Sequence, residues 1–121
     1  MAKQILIIED DTIFGKNMAY ILEYRGYESS LISSASKACE WISKGLKPAL
    51  IFIDYHLCHD EINGIDCMKK MLKIDANLKI IIMSGLKTLN IKEDALKYGA
   101  VKFLKKPFEM EYILKLVERI V

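Results

Sequence analysis

The residues most able to do chemistry are acids, one hydroxyl and one amine placed directly behind short apolar runs. Glu9, Asp10 and Asp11 follow Gln4 to Ile8. Asp54 follows Ala49 to Ile53, Ser84 follows Lys79 to Met83, and Lys106 stands just beyond Val101 to Leu104, immediately before Pro107. An acid closing a buried run must be satisfied by partners, because an unpaired charge in an apolar surround is costly. Carboxylates gathered at one place repel by roughly 4 kcal/mol per pair at 4 Å with an effective dielectric near 20. Lys106 can offset one charge, and a divalent cation with a preference for hard oxygen ligands, Mg²⁺ above all, can offset two more. A metal, an amine and a hydroxyl are the parts phosphoryl transfer uses, with Asp54 as the nucleophile that would carry an aspartyl phosphate.

Each residue also has a plainer reading. Asp10 or Asp11 could cap the helix that follows, Ser84 could serve a turn, and Lys106 could be an ordinary solvated lysine. What favours chemistry is the set, provided the fold brings the four run ends to one rim. The runs are β-branched and strand-length, with Tyr27 to Ile32 as the remaining one. The first, third and fourth are almost wholly apolar, as central parallel strands covered on both faces should be. Helix-period segments separate them. Phe14, Met18, Ile21 and Leu22 recur at helical spacing before Gly26; Ser34 to Lys44 stops at Gly45; Asn90 to Tyr98 stops at Gly99, with Asn90 and Glu93 spaced as a capping box; Glu109 to Val121 repeats Met110, Ile113, Leu114, Val117 and Ile120. Strict β-α alternation predicts an α/β fold, a parallel sheet with helices on both faces. In strand order 2-1-3-4-5, strands 1, 3, 4 and 5 would deliver the polar residues to one rim, where open α/β sheets bind ligands.

Composition narrows the classes. The chain has 121 residues, 52% apolar and 28% charged, with a formal charge of +2. That fits one domain, 1–121, and argues against disorder and against nucleic acid as a direct partner. Cys39, Cys58 and Cys67 are odd in number and form no CxxC pair, so no disulfide framework is expected. The apolar runs are too short for a membrane span, and acids follow the first run too soon for a signal peptide. A cytoplasmic location is the expectation.

Together, Ile7-Ile-Glu-Asp-Asp11, Leu50-Ile-Phe-Ile-Asp54, Ile81-Ile-Met-Ser84-Gly85, Tyr98-Gly-Ala and Phe103-Leu-Lys-Lys106-Pro107-Phe108 resemble the receiver domain of bacterial two-component response regulators, chemotaxis-regulator-like, from Lys3 to Val121. The resemblance implies a flavodoxin-like (βα)5 doubly wound sandwich with strand order 2-1-3-4-5, and that Asp54 is the phospho-acceptor, supplied by a sensor histidine kinase, a histidine phosphotransfer protein or a small phosphodonor. It implies that Asp10, Asp11 and Asp54 hold Mg²⁺ together with the backbone carbonyl of His56. Ser84 would be the hydroxyl that turns toward the phosphoryl group, Lys106 the lysine that pairs with acceptor and phosphate, and Lys106-Pro107 a cis peptide. Phe103 would be the aromatic of the switch, which alters the surface of the fourth helix, fifth strand and fifth helix for a downstream protein, an output domain or a second copy of the chain. No turnover enzyme is implied, only assistance of its own phosphorylation and dephosphorylation.

The sequence departs from that family in three places. The loop from Tyr55 to Asn63 is longer, with Cys58 where proline is common; Ser84 replaces threonine; and Phe103 lacks a tyrosine hydroxyl. The loop's His56, Cys58, His59, Asp60 and Glu61 do not have zinc-ligand spacing. The other readings are a phosphorylation-independent interaction scaffold, a nucleotide or flavin binder, and a haloacid-type phosphatase. The second lacks a glycine-rich first turn, and the third lacks a second acid two residues after Asp54.

Overall fold

A computed structural model describes residues 2–57, 61–85 and 89–121. Strands and helices alternate throughout: β1 Gln4–Ile8, α1 Thr12–Tyr24, β2 Glu28–Ile32, α2 Ala35–Ser43, β3 Leu50–Asp54, α3 Gly64–Ile74, β4 Ile80–Ser84, α4 Leu89–Lys97, β5 Lys102–Lys105 and α5 Met110–Ile120. The five strands form one parallel sheet in the order β2-β1-β3-β4-β5, the flavodoxin-like arrangement the family resemblance implies.

The apolar runs split by strand period into two cores. Leu6, Ile8, Ile51, Ile53, Ile80 and Ile82 face α2, α3 and α4, whose Ala38, Ile42, Met68, Met71, Ile91 and Ala95 are buried against them. Their neighbours Ile5, Ile7, Leu50, Phe52, Ile81 and Met83 face Met18 and Leu22 of α1 and Ile113, Leu114 and Val117 of α5. Both sheet faces are covered, which is why β1, β3 and β4 need no polar face.

Helices α1, α2 and α4 end at Gly26, Gly45 and Gly99, whose φ angles of 91°, 105° and 121° lie in the region that favours glycine. Helix α3, for which the sequence reading assigned no span, is marked by an Asn63 side-chain cap on the Asp66 N–H (2.9 Å) and by buried Ile65, Met68 and Met71 at three-residue steps. Asn90 does not cap α4 as its spacing with Glu93 suggests; it lies inside a helix that begins at Leu89. Strands β3, β4 and β5 each sit one residue later than the apolar runs, because Asp54, Ser84 and Lys105 still hold ladder positions opposite Met83, Lys105 and Ser84 respectively. Among the described residues no helix is long and apolar enough to cross a membrane.

One glycine braces the end of β3. Gly64, the first residue of α3, donates its N–H to the Tyr55 carbonyl (2.9 Å), and a Cβ there would press on the Asp54 carbonyl oxygen and lie 2.9 Å from the Tyr55 Cα. Backbone cannot yield as a flexible side chain can. Gly64→Ala is therefore expected to cost about 1–3 kcal/mol, read as a lower urea midpoint at unchanged m-value. An unchanged midpoint would mean that the close approach imposes no constraint.

Candidate functional site: an acidic rim at the carboxyl ends of the strands

Among the described residues three buried polar side chains stand out against the apolar interior: Glu9, Asp54 and Ser84, at 1%, 6% and 1% exposure. All lie at the carboxyl ends of strands. Backbone bonds tie these ends together, Tyr55 N–H to the Met83 carbonyl and Lys106 N–H to the Ser84 carbonyl, both at 2.8 Å. The chain then turns at Lys106-Pro107, whose peptide bond is cis. The Lys106 ammonium reaches back across the rim to an ion pair with Glu9 Oε1 and to Asp54 Oδ1 at 3.4 Å.

Glu9, Asp10 and Asp54 each present a carboxylate oxygen within 4.8 Å of the other two. Oxygens around an octahedral magnesium ion, bound at about 2.1 Å, stand about 4.2 Å apart at most, so a small closing motion would let this triad share one ion. Hard carboxylate donors, two of them buried and one half-buried, fit that cation. Fully ionised, the three acids outweigh Lys106 by two charges, the deficit a divalent ion removes.

The acidic triad is shifted by one residue from the Asp10–Asp11–Asp54 set expected from the sequence. Asp11 is exposed and stands at the N-cap of α1, where its carboxylate accepts the Phe14 N–H at 3.2 Å. A side chain committed to the helix end cannot also point into the rim. Glu9, in contrast, follows β1 directly, donates its own N–H to Ile32 O (3.0 Å) and accepts the Asp11 N–H on Oε2 (3.3 Å). The preference of aspartate for the residue preceding a helix is the signal that bears on this register, and it fits Asp10 and Asp11 alike.

The remaining expected residues lie as follows. Ser84 is at the rim as the last residue of β4. Phe103 is half-buried on β5, opposite Ile82, and packs with the core on the α2–α3–α4 side. His56 is exposed in the segment leaving β3, its ring edge-on to Tyr55. Cys58, His59 and Asp60 lie outside the described residues.

Burial, above all, pushes the Glu9 carboxyl up to about 7; the Asp54 charge and a hydrogen bond with Asp54 push the same way, while Lys106 pulls it down. Asp54 is also raised, burial again outweighing the Lys106 ammonium and the hydrogen bond from Glu9. The folded chain therefore binds more protons than the unfolded chain from about the ordinary glutamate range up to about pH 7, so stability falls as pH rises through that window. Urea midpoints in EDTA should decline from about pH 5 to 8, and Glu9→Gln should flatten most of that decline. An equal decline in both proteins would place the titration elsewhere.

A family model described as "Response regulator receiver domain" matches residues 5–118. The chain belongs to the response regulator receiver domain family. This receiver domain is 30% identical to the chemotaxis protein CheY of Thermotoga maritima over 120 residues, 99% of this chain and 98% of that protein. It is 33% identical over 118 residues to the DNA-binding transcriptional regulator NtrC of Azospirillum brasilense, covering 98% of this chain but only 24% of that protein. A response regulator from Burkholderia pseudomallei, solved with a phosphorylated aspartic acid, a calcium ion and citrate, superposes with a TM-score of 0.82 at 28% identity, over 93% of this chain and 64% of that one. The receiver domain thus carries a CheY-like fold and an acidic pocket of Glu9, Asp10 and Asp54, and it belongs to two-component signalling.

Proposed function

We propose that this receiver domain is a phosphorylation-driven switch that takes a phosphoryl group on Asp54 from a histidine kinase, a histidine phosphotransfer protein or a small phosphodonor. The observation that carries the proposal is the convergence of Glu9, Asp10, Asp54 and Lys106 at one rim. The phosphorylated aspartic acid of the Burkholderia protein adds to it by similarity.

In this reading the Asp54 carboxylate attacks phosphorus as the donor's phosphorus–nitrogen or phosphorus–oxygen bond breaks, leaving an acyl phosphate. Glu9, Asp10 and Asp54, with the His56 carbonyl, would hold Mg²⁺, which when bound draws charge from the phosphoryl oxygens. Asp11 has no part in that set. Lys106 moves from Asp54 Oδ1 to a phosphoryl oxygen, and the Ser84 hydroxyl donates to another. Phe103, packed between sheet and α4, then repacks without a hydroxyl to steer it.

Such a change would reach the exposed side of α4, β5 and α5. Leu96, Tyr98, Val101 and Tyr112, on and between α4, β5 and α5, are 45%, 40%, 47% and 43% exposed. A downstream protein, an output domain or a second copy of the chain would dock there. Acetyl phosphate with Mg²⁺ should add one phosphoryl group and change amide exchange along β5 and α5. Lys106→Ala should still take up Mg²⁺ but lose most of the exchange response. Equal responses in both proteins would remove Lys106 from the switch, and no labelling of the wild type under any Mg²⁺ concentration would defeat the proposal.

A further inference from the structure

The Lys106 ammonium has a third neighbour besides Glu9 and Asp54. Its Nζ stands 4.2 Å from the ring centroid of Phe14. An aromatic face has no part in a scheme made of acids, a cation and a hydroxyl. Phe14 lies in the first turn of α1, anchored through its backbone N–H to the Asp11 cap. Its ring forms a T-shaped pair with Phe108, at 5.4 Å between centroids and 69° between planes. Phe108 follows Lys106 by two residues, so one short segment supplies both the ammonium and a ring that braces Phe14.

A ring face attracts a cation without demanding a directed hydrogen bond. The two carboxylates behave differently: they tie up N–H groups that an incoming phosphoryl oxygen would need. When Asp54 becomes an acyl phosphate, Lys106 must exchange a carboxylate oxygen for a phosphoryl oxygen. While that exchange is under way the carboxylate bonds are released and Phe14 still pulls, so its share of the hold on Lys106 is largest in the transfer itself. The ring keeps the end of a long, flexible side chain over the rim while its N–H groups re-aim.

We infer that Phe14 is a positioning residue for phosphoryl transfer, its ring face, braced by Phe108, holding the Lys106 ammonium beside Asp54. The inference rests on the reading that Asp54 accepts a phosphoryl group.

The test replaces Phe14 in the whole chain with mono-, di- and trifluorophenylalanine, which drain the negative face while nearly keeping the ring's shape. The rate of labelling by acetyl phosphate with Mg²⁺ should fall stepwise, reaching about 3- to 10-fold below wild type, with Phe14→Leu at the bottom and Phe14→Trp restored. Urea midpoints should stay constant across the fluorinated series, which a purely structural role would also allow. The stepwise rates are what it would not produce. Equal rates across that series overturn the inference. A wild type that takes no label overturns the phosphorylation reading instead, and the placement is then judged by proton resonance. The Lys106 ε-methylene protons should carry an upfield ring-current shift that Phe14→Leu removes, and the lack of such a shift would also overturn it.

Discussion

Asp54→Asn is expected to abolish labelling by acetyl phosphate and Mg²⁺ while leaving the fold intact or slightly more stable. The amide has nearly the shape of the carboxylate but is a far weaker nucleophile, so the acyl phosphate has no route to form. The stability gain follows from burial. Asp54 is almost wholly enclosed, and its carboxyl is raised because ionising it there is unfavourable even beside Lys106. Neutralising it also removes repulsion from Asp10, and Lys106 keeps its ion pair with Glu9. Intact-protein mass spectra and urea midpoints check both halves. Residual labelling of the variant at the wild-type rate would mean that another residue accepts the phosphoryl group.

The second large effect separates three consecutive acids. Glu9→Gln and Asp10→Asn should each weaken Mg²⁺ uptake by about tenfold or more, since each removes a charged ligand from a three-carboxylate set. Asp11→Asn should leave the affinity within about twofold, and it should leave stability unchanged because asparagine caps a helix as well as aspartate does. Asp11→Ala should cost about 1 kcal/mol of stability with the same affinity. Isothermal calorimetry and urea melts on the four variants decide the register. A large loss of affinity in Asp11→Asn, with none in Glu9→Gln, would restore the Asp10–Asp11 pairing that the sequence suggests.

That register shows where the sequence was legible and where it was not. The parallel sheet and its polar rim followed from apolar runs closed by Asp54, Ser84 and Lys106, because a run buried on both faces leaves its polar end only one place to go, whereas the strand order came from the family resemblance. The glycine stops at Gly26, Gly45 and Gly99 were equally plain. Three consecutive acids after β1 were not, since the rim residue Asp10 and the cap Asp11 are neighbours and aspartate suits both places. Phe14 escaped for a related reason: at helical spacing with Met18 and Leu22 it reads as core, and only the path of Lys106-Pro107-Phe108 brings a cation and a second ring against it. Gly64 reads as a loop glycine until the backbone of Asp54 and Tyr55 is seen to press on it.

In the proposed switch one buried aspartate at this rim becomes an acyl phosphate. Borohydride reduction of the chain after exposure to acetyl phosphate and Mg²⁺, followed by peptide sequencing, tests it directly, because reduction converts an aspartyl phosphate to homoserine. Homoserine is expected at position 54 alone, and none when EDTA replaces Mg²⁺. Homoserine at position 10 or 11, or an unmodified chain at saturating Mg²⁺, would contradict that switch.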